Sequence, residues 1–541
     1  MSYGQAQSEQ TVISAWRERV RRCPQQPALA YFDFVATAAE VDSASDSLGA
    51  VLEDRGVSRG ERVGIYLQNV PQYAVVLLAL WKIGAVPLVL NPMYRGRELR
   101  VIIDDAEPMA LVCDEADLDL IGPALRASSV QFVLSTSGLD YQSRNDPRVF
   151  ARRQRLAPRP EDDLIGLIQA NEHRHPAQYD VTGKDLALLA YTSGTTGPPK
   201  GALISHANLF ATAADFGEVA GVKDGDVVFA IAPLFHITGA TLNAALSLVR
   251  NCLLVFANRF NAAVTLDAFV EHAVTYTIGS ITAFNALSQV PGVSNAEFAS
   301  IKALYSGGAP IPPSTVEQFE KRFGCYIHNA YGMTETTAGV IAVPPGRRAP
   351  VHGPSGSLSV GVPLPRVSLR TVDPNGQPTP AGTAGELEIR GPQVVTGYWR
   401  NPSASATTMP EGRLRTGDVA IIDDLGWVYL VDRLKDQINV SGYKVWPREV
   451  EDTLYEHPAV FEVAVVGQPD NYQGEAVTAY VSLRDGTTAT PEELIAFTRD
   501  RLAAYKRPRT VYVIDALPKT HTGKIRRADL KHTGTPLVEN I

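Results

Sequence analysis

Cysteine is scarce in this chain. Four of 541 residues, Cys23, Cys113, Cys252 and Cys325, stand far apart with no C-x-x-C pair. That excludes a disulfide framework or a thiolate metal site and fits buried thiols in a reducing compartment. A long uninterrupted apolar run is also missing. The most hydrophobic stretch, Ala74 to Leu90, is broken by Lys82, Gly84 and Pro87, so it reads as a buried helix followed by a strand and not as a membrane span. Positive charge is in deficit, with 50 Lys and Arg against 58 Asp and Glu and a formal net charge of −8. A generally basic surface for nucleic acid or anionic lipid is thereby excluded. The first ten residues are polar without a basic-then-apolar export pattern, and Leu537 to Ile541 carries no lipidation box or peroxisomal tripeptide. A cytoplasmic location is the expectation.

What is present is ordinary globular material. Hydrophobic residues make up 45% and charged residues 20%, and the length allows about three to four structural units. Short apolar runs at Leu186 to Tyr191, Val227 to Ala232 and Cys252 to Phe256 end in Gly, Pro or polar residues and read as buried strands. Helical stretches such as Pro71 to Ile83 and Ser314 to Phe323 lie between such runs. The alternation predicts doubly wound α/β layers. From about 360 to 430, alternating segments separated by Pro and Gly turns indicate a β-rich subdomain.

Past Leu430 the charged crossing V-D-R-L-K-D-Q-I leads into a new pattern. It predicts a helix at Pro447 to Tyr455, strands at Phe461 to Gly467 and Ala476 to Leu483, and a helix at Pro491 to Leu502. The expected organisation is a large N-terminal domain, 1–433, and a small mobile α+β domain, 434–541, parted near Lys435. The polar stretch Arg152 to His175 reads as an exposed linker, a metal site at His173 and His175 being the competing reading.

One loop carries chemistry on its face. In L-A-Y-T-S-G-T-T-G-P-P-K-G, Leu189 to Gly201, glycines after an apolar strand free N–H groups to converge on an anion, and hydroxyls add donors. The loop implies a phosphate ligand; a surface hairpin without one is the bland reading. The spacing is not that of a P-loop, because Pro199 stands where glycine must precede lysine and Pro198–Pro199 forbids an immediate helix.

Four further strings follow in order: Y-S-G-G-A-P at Tyr305 to Pro310, N-A-Y-G-M-T-E-T at Asn329 to Thr336, T-G-D at Thr416 to Asp418 followed by D-R-L-K-D at Asp432 to Asp436, and P-K-T-H-T-G-K at Pro518 to Lys524. With the loop, they resemble the adenylate-forming superfamily, over nearly the whole chain. The string I-N-V-S-G-Y-K-V-W-P-R-E-V-E, Ile438 to Glu451, resembles its acyl-CoA synthetase branch, with Asn439 where some relatives carry lysine.

The resemblance implies ATP-dependent activation of a carboxylic acid through an acyl-adenylate to a CoA thioester, with ATP, Mg2+ and coenzyme A. Such chemistry brings two anions together and expels pyrophosphate, so it needs positive charge and directed donors. By resemblance, Thr192, Ser193, Gly194, Thr195, Thr196, Gly197 and Lys200 clamp phosphates, Thr334 contacts phosphate, and Glu335 is the metal ligand. Gly308, Ala309, Pro310 and Tyr331 would receive adenine, and Asp418 with Arg433 the ribose. Lys524 would reach the carboxylate and the α-phosphate, Lys435 would be the hinge, and His236 in P-L-F-H-I-T-G would gate the carboxylate end. Ser441, Gly442 and Tyr443 would line the pantetheine path.

The acyl pocket is less defined. I-T-A-F-N-A-L at Ile281 to Leu287 resembles fatty acyl-CoA synthetases, and Gly307 and Gly308 leave space, which favours a medium- or long-chain aliphatic acid. A benzoate- or cinnamate-like acid is the runner-up. Two competing functions are a carrier-loading adenylation enzyme and a non-catalytic sensor; intact Glu335 and Lys524 speak against the sensor. The expected partners are an acid and CoA, with no nucleic acid and no stable membrane insertion.

Overall fold

Twelve consecutive residues, Pro71–Lys82, form a helix buried on every face. A helix apolar all round must be enclosed by protein. This one touches Pro27–Tyr31 in one sheet and Arg62–Tyr66 and Val86–Val89 in another, and so lies between them. Pro71 starts it at a position where no N–H is needed. Lys82, the charge that interrupts the apolar run, is neutralised by Asp42 and Asp46, each 2.6 Å from its ammonium. The Trp81 indole donates to the Ala187 carbonyl at 2.7 Å. Through that bond the central helix positions the strand that leads into the glycine-rich loop.

The computed structural model describes residues 10–150, 154–156, 159–177, 179–192, 198–353, 356–433, 436–441, 443–470, 474–499, 501–520 and 525–531. A six-stranded sheet runs in the order Phe132–Thr136, Ala110–Asp114, Arg62–Tyr66, Val86–Val89, Leu186–Tyr191, Gly201–Ser205. Its pairs are parallel except the last, where Gly201–Ser205 turns back antiparallel. The second sheet has nine strands, in the order Val362–Pro363, Ala338–Ala342, Ile327–Met333, Ala303–Gly307, Tyr276–Gly279, Val227–Phe229, Leu253–Phe256, Pro27–Tyr31, Phe34–Thr37. It is parallel at its centre and antiparallel towards both edges. Parallel neighbours require crossovers, here largely helical, which gives the doubly wound α/β architecture expected from the alternation.

Ser368–Val372, Gly385–Arg390, Leu414–Ile422 and Val428–Arg433 form a separate four-stranded antiparallel sheet, the β-rich segment read from its turns. Behind it, Tyr443–Val445, Ile438–Val440, Gly474–Leu483, Val460–Asp470 and Thr510–Val513 make a five-stranded sheet. The helices Pro447–Tyr455 and Pro491–Thr498 join it, with a core built only from residues after 437. The fold is α/β, with a large N-terminal part and a small C-terminal one.

Some local expectations need correction. The strand from Val227 ends at Phe229, before Ala232, because the Asn69 side-chain amide takes the Ala230 carbonyl (2.7 Å) and Pro233 has no N–H for a ladder. The helix from Pro491 stops at Thr498, before Leu502. The stretch 152–175 is not simply a linker. Within it Leu164–Ala170 is a helix with Leu164 and Ile168 buried. Arg155 is drawn in by Glu115, by Asp163 (2.8 Å) and by Asp140 (3.2 Å). His175 Nδ1 lies 2.7 Å from Asp46, and among the described residues no cluster of three or more His, Cys, Asp or Glu could hold a metal. Cys113 and Cys252 are buried as expected, whereas Cys23 and Cys325 are partly exposed.

Candidate active site

The antiparallel pair Leu186–Tyr191 and Gly201–Ser205 makes the loop between them a hairpin. At its mouth the Thr192 N–H donates to the Lys200 carbonyl (2.9 Å) and the Lys200 N–H donates to Thr192 Oγ1 (3.3 Å). The backbone thus delivers Lys200 to the hairpin end. Ser193, Gly194, Thr195, Thr196 and Gly197 lie outside the described residues.

A second strand end meets this hairpin. Ile327–Met333 runs directly into one tight turn, Thr334–Thr336. Gly332 is demanded by close approach, since a Cβ there would lie 1.8 Å from the Ala338 carbonyl oxygen. Thr336 Oγ1 accepts from the Met333 N–H (2.9 Å) and donates to the Ala338 carbonyl (2.7 Å), which locks the turn. Thr334 therefore starts the turn without capping it; the cap residue is Met333. The turn buries Glu335 to 7% exposure.

The Tyr398 hydroxyl donates to Glu335 Oε1 at 2.6 Å, and the Lys200 ammonium stands 5.0 Å from the centroid of the same ring. Burial, and then the Glu335 charge, raise the Tyr398 hydroxyl well above the ordinary phenol value, so it remains a donor. Among the described residues no ion pair engages Glu335. A buried hard-oxygen carboxylate with no cationic side-chain partner among the described residues would suit a divalent ion such as Mg2+.

Sequence reasoning misses Tyr398. In T-G-Y-W-R-N-P, 396–402, it reads as one more aromatic of a β-rich stretch. Its neighbours hold it. The Trp399 N–H donates to Gly201 O (2.7 Å), the Leu203 N–H to Gly397 O (3.0 Å), and Tyr398 bridges Ala202 in antiparallel register. Upstream, Asn208 Nδ2 donates to Pro392 O (2.7 Å), Thr337 Oγ1 to Gln393 O (2.8 Å), and the Val395 N–H to Glu335 O (2.9 Å). Asp215 receives Gln393 Nε2 (2.7 Å) and Arg366 Nη2 (2.8 Å). Burial pushes the Asp215 carboxyl up despite that guanidinium. Residues 392–399 are therefore a strap tied to both large sheets.

On the other side of Glu335, the Tyr331 hydroxyl donates to Asp418 Oδ2 at 2.6 Å. An adenine-stacking face is the expectation for Tyr331; the structure also gives it a bond to the expected ribose ligand. Gly417 adopts φ 72°, in the left-handed region, and the Asp418 N–H donates to Thr416 Oγ1 (3.1 Å). Asp418 pairs across the sheet with Arg433, whose side chain lies outside the described residues. Gly307 lies in parallel register with Ala330, so the turn Gly308, Ala309, Pro310 emerges next to Tyr331, with Gly308 at φ 84°. Four of the five ordered strings thus converge at neighbouring strand ends.

His236 caps the short turn Ile237–Gly239, its Nδ1 accepting from the Thr238 N–H at 3.3 Å. Gly239 is again required by packing, since a Cβ would lie 2.1 Å from Pro233 O. A π-helical segment, Ala240–Ala245, follows, a rare geometry that recurs at functional sites. Ser441 has φ 52° and is exposed at the turn between Ile438–Val440 and Tyr443–Val445, with no hydrogen bond to the Glu335 group among the described residues. Lys435, Gly442 and Lys524 lie outside the described residues. Among the described residues no helix is long and apolar enough to cross a membrane.

Fold and site together define a two-part α/β protein whose hairpin lysine, buried carboxylate and Tyr–Asp pair meet at strand ends. The AMP-binding enzyme family matches residues 16–399, and the AMP-binding enzyme C-terminal domain matches 449–524. A long-chain-fatty-acid–CoA ligase of Escherichia coli O6:H1 is 32% identical over 544 residues, covering 98% of this chain and 96% of that one. A feruloyl-CoA synthase of an Amycolatopsis species is also 32% identical, covering 96% and 98%. The crystal structure of ATP-bound MatB from Rhodopseudomonas palustris superposes with a TM-score of 0.86 at 28% identity, covering 97% and 98%. The chain belongs to the AMP-binding enzyme family, in its acyl-CoA synthetase branch, and is an AMP-forming acid–thiol ligase.

Proposed function

We propose that this ligase activates a medium- or long-chain aliphatic carboxylic acid. The observation that carries the site assignment is the meeting of Lys200, Tyr398 and Glu335 beside the Tyr331–Asp418 pair. Asp418 accepts from the ribose hydroxyls, the Gly308–Pro310 turn and Tyr331 receive adenine, and Thr192 to Gly197 with Lys200 and Thr334 direct donors and charge at the phosphates. Glu335 would hold Mg2+, which supplies charge neutralisation between phosphate oxygens when bound.

A carboxylate oxygen bonds to the α-phosphorus as the bond to pyrophosphate breaks. Lys524 offsets the charge of both approaching anions, and His236 orders the carboxylate end. The CoA sulfur, losing its proton, then bonds to the carbonyl carbon and AMP leaves. The domain parting near Lys435 lets the C-terminal domain turn, withdraw Lys524 and present Ser441 and Gly442 along the thiol's path.

The fatty-acid preference is supported by the name and identity of the Escherichia coli relative, and an aryl acid by the equally identical feruloyl-CoA synthase. AMP release with CoA, measured on acids of graded chain length and on benzoate and ferulate, separates them. Aliphatic acids of about eight carbons or more are expected to give kcat/KM values at least tenfold above the aryl acids, since each buried methylene contributes about 0.8 kcal/mol. A preference for ferulate or benzoate would transfer the assignment to the aryl class.

A further inference from the structure

Tyr398 touches both charged groups of the phosphate side. The residue is 4% exposed, its hydroxyl bonds Glu335 Oε1, and its ring face receives the Lys200 ammonium. Its backbone bridges Ala202, and its N–H donates to Ser405 Oγ at 2.8 Å. The ring is therefore held from two directions while it touches residues from both large sheets.

We propose that Tyr398 is the positioning residue for the Mg2+–ATP complex, fixing the Glu335 carboxylate through its hydroxyl and receiving Lys200 on its ring. This rests on the metal role of Glu335. A hydrogen bond to one carboxylate oxygen selects the rotamer and leaves the other oxygen for the ion, as bonded carboxylates around metals commonly do. The aromatic face holds the ammonium without consuming the carboxylate that it would otherwise neutralise. Without the hydroxyl, Glu335 is free to rotate or to pair with Lys200, and both outcomes remove the metal's ligand.

The test is calorimetric titration of ATP into the full-length protein, in Mg2+ and separately in EDTA. Tyr398→Phe is expected to raise the Kd in Mg2+ about tenfold and to leave the EDTA value within about twofold. Equal weakening in both media, or none in either, would overturn the proposal. Glu335→Gln in the same series separates it from the underlying assignment. If that substitution removes the Mg2+-dependent gain while Tyr398→Phe does not weaken it, only the positioning role falls. If Glu335→Gln keeps the gain, the metal role and the positioning role fall together. Should Tyr398→Phe fail to fold, Ser405→Ala removes the side-chain acceptor that holds the Tyr398 N–H. It is expected to cost about threefold in Mg2+ alone, and no loss there would overturn the proposal.

Discussion

Lys524→Ala is expected to lower acid-dependent adenylate formation by about 10²- to 10³-fold or more, the scale of losing one preorganised donor of transition-state charge. Thioester formation from supplied acyl-adenylate should stay within about threefold, because the mixed anhydride already exists and its breakdown needs no lysine between two anions. Lys519 and Ile525, which flank this lysine in sequence, form an antiparallel bridge, and Lys519 pairs with Glu462 at 2.8 Å. Rapid-quench measurement of both half-reactions checks this split. Equal loss in both would assign Lys524 to folding or to CoA.

Lys435→Pro should show the opposite split. Proline holds φ near −65° and removes an N–H. A hinge whose dihedrals change between two half-reactions would lose that freedom. The substitution should slow thioester formation about a hundredfold, the cost of misplacing a reacting group by about an ångström. Pyrophosphate exchange should change by less than about threefold. The flanking strands Val428–Arg433 and Ile438–Val440 belong to different sheets, so the substitution falls between two ordered bodies. Half-reactions slowed alike would remove the hinge.

Residues whose roles depend on their neighbours in the chain are legible in the sequence. Pro71–Lys82 announces its burial by a nearly continuous apolar run, and four of the five ordered strings point to the strand ends that meet at the site. Position within a string also carries Asp418 and Glu335. What stays hidden depends on contacts between distant segments. Tyr398 is 63 residues from Glu335 in sequence, and its role exists only once residues 392–399 lie along Gly201–Ser205. The helix Leu164–Ala170 is hard to see because its seven residues are flanked by charge and its burial comes from tertiary contacts. The apolar run from Val227 overstates its strand because an Asn69 side chain, 161 residues from Ala230, displaces the ladder.

The most direct measurement is exchange of labelled pyrophosphate into ATP, with and without a long-chain acid, in the absence of CoA. Exchange that appears only with the acid, and needs no CoA, is expected if the site holds ATP against a carboxylate. Exchange that ignores the acid, or that begins only when CoA is added, would contradict an acyl-adenylate formed at these residues.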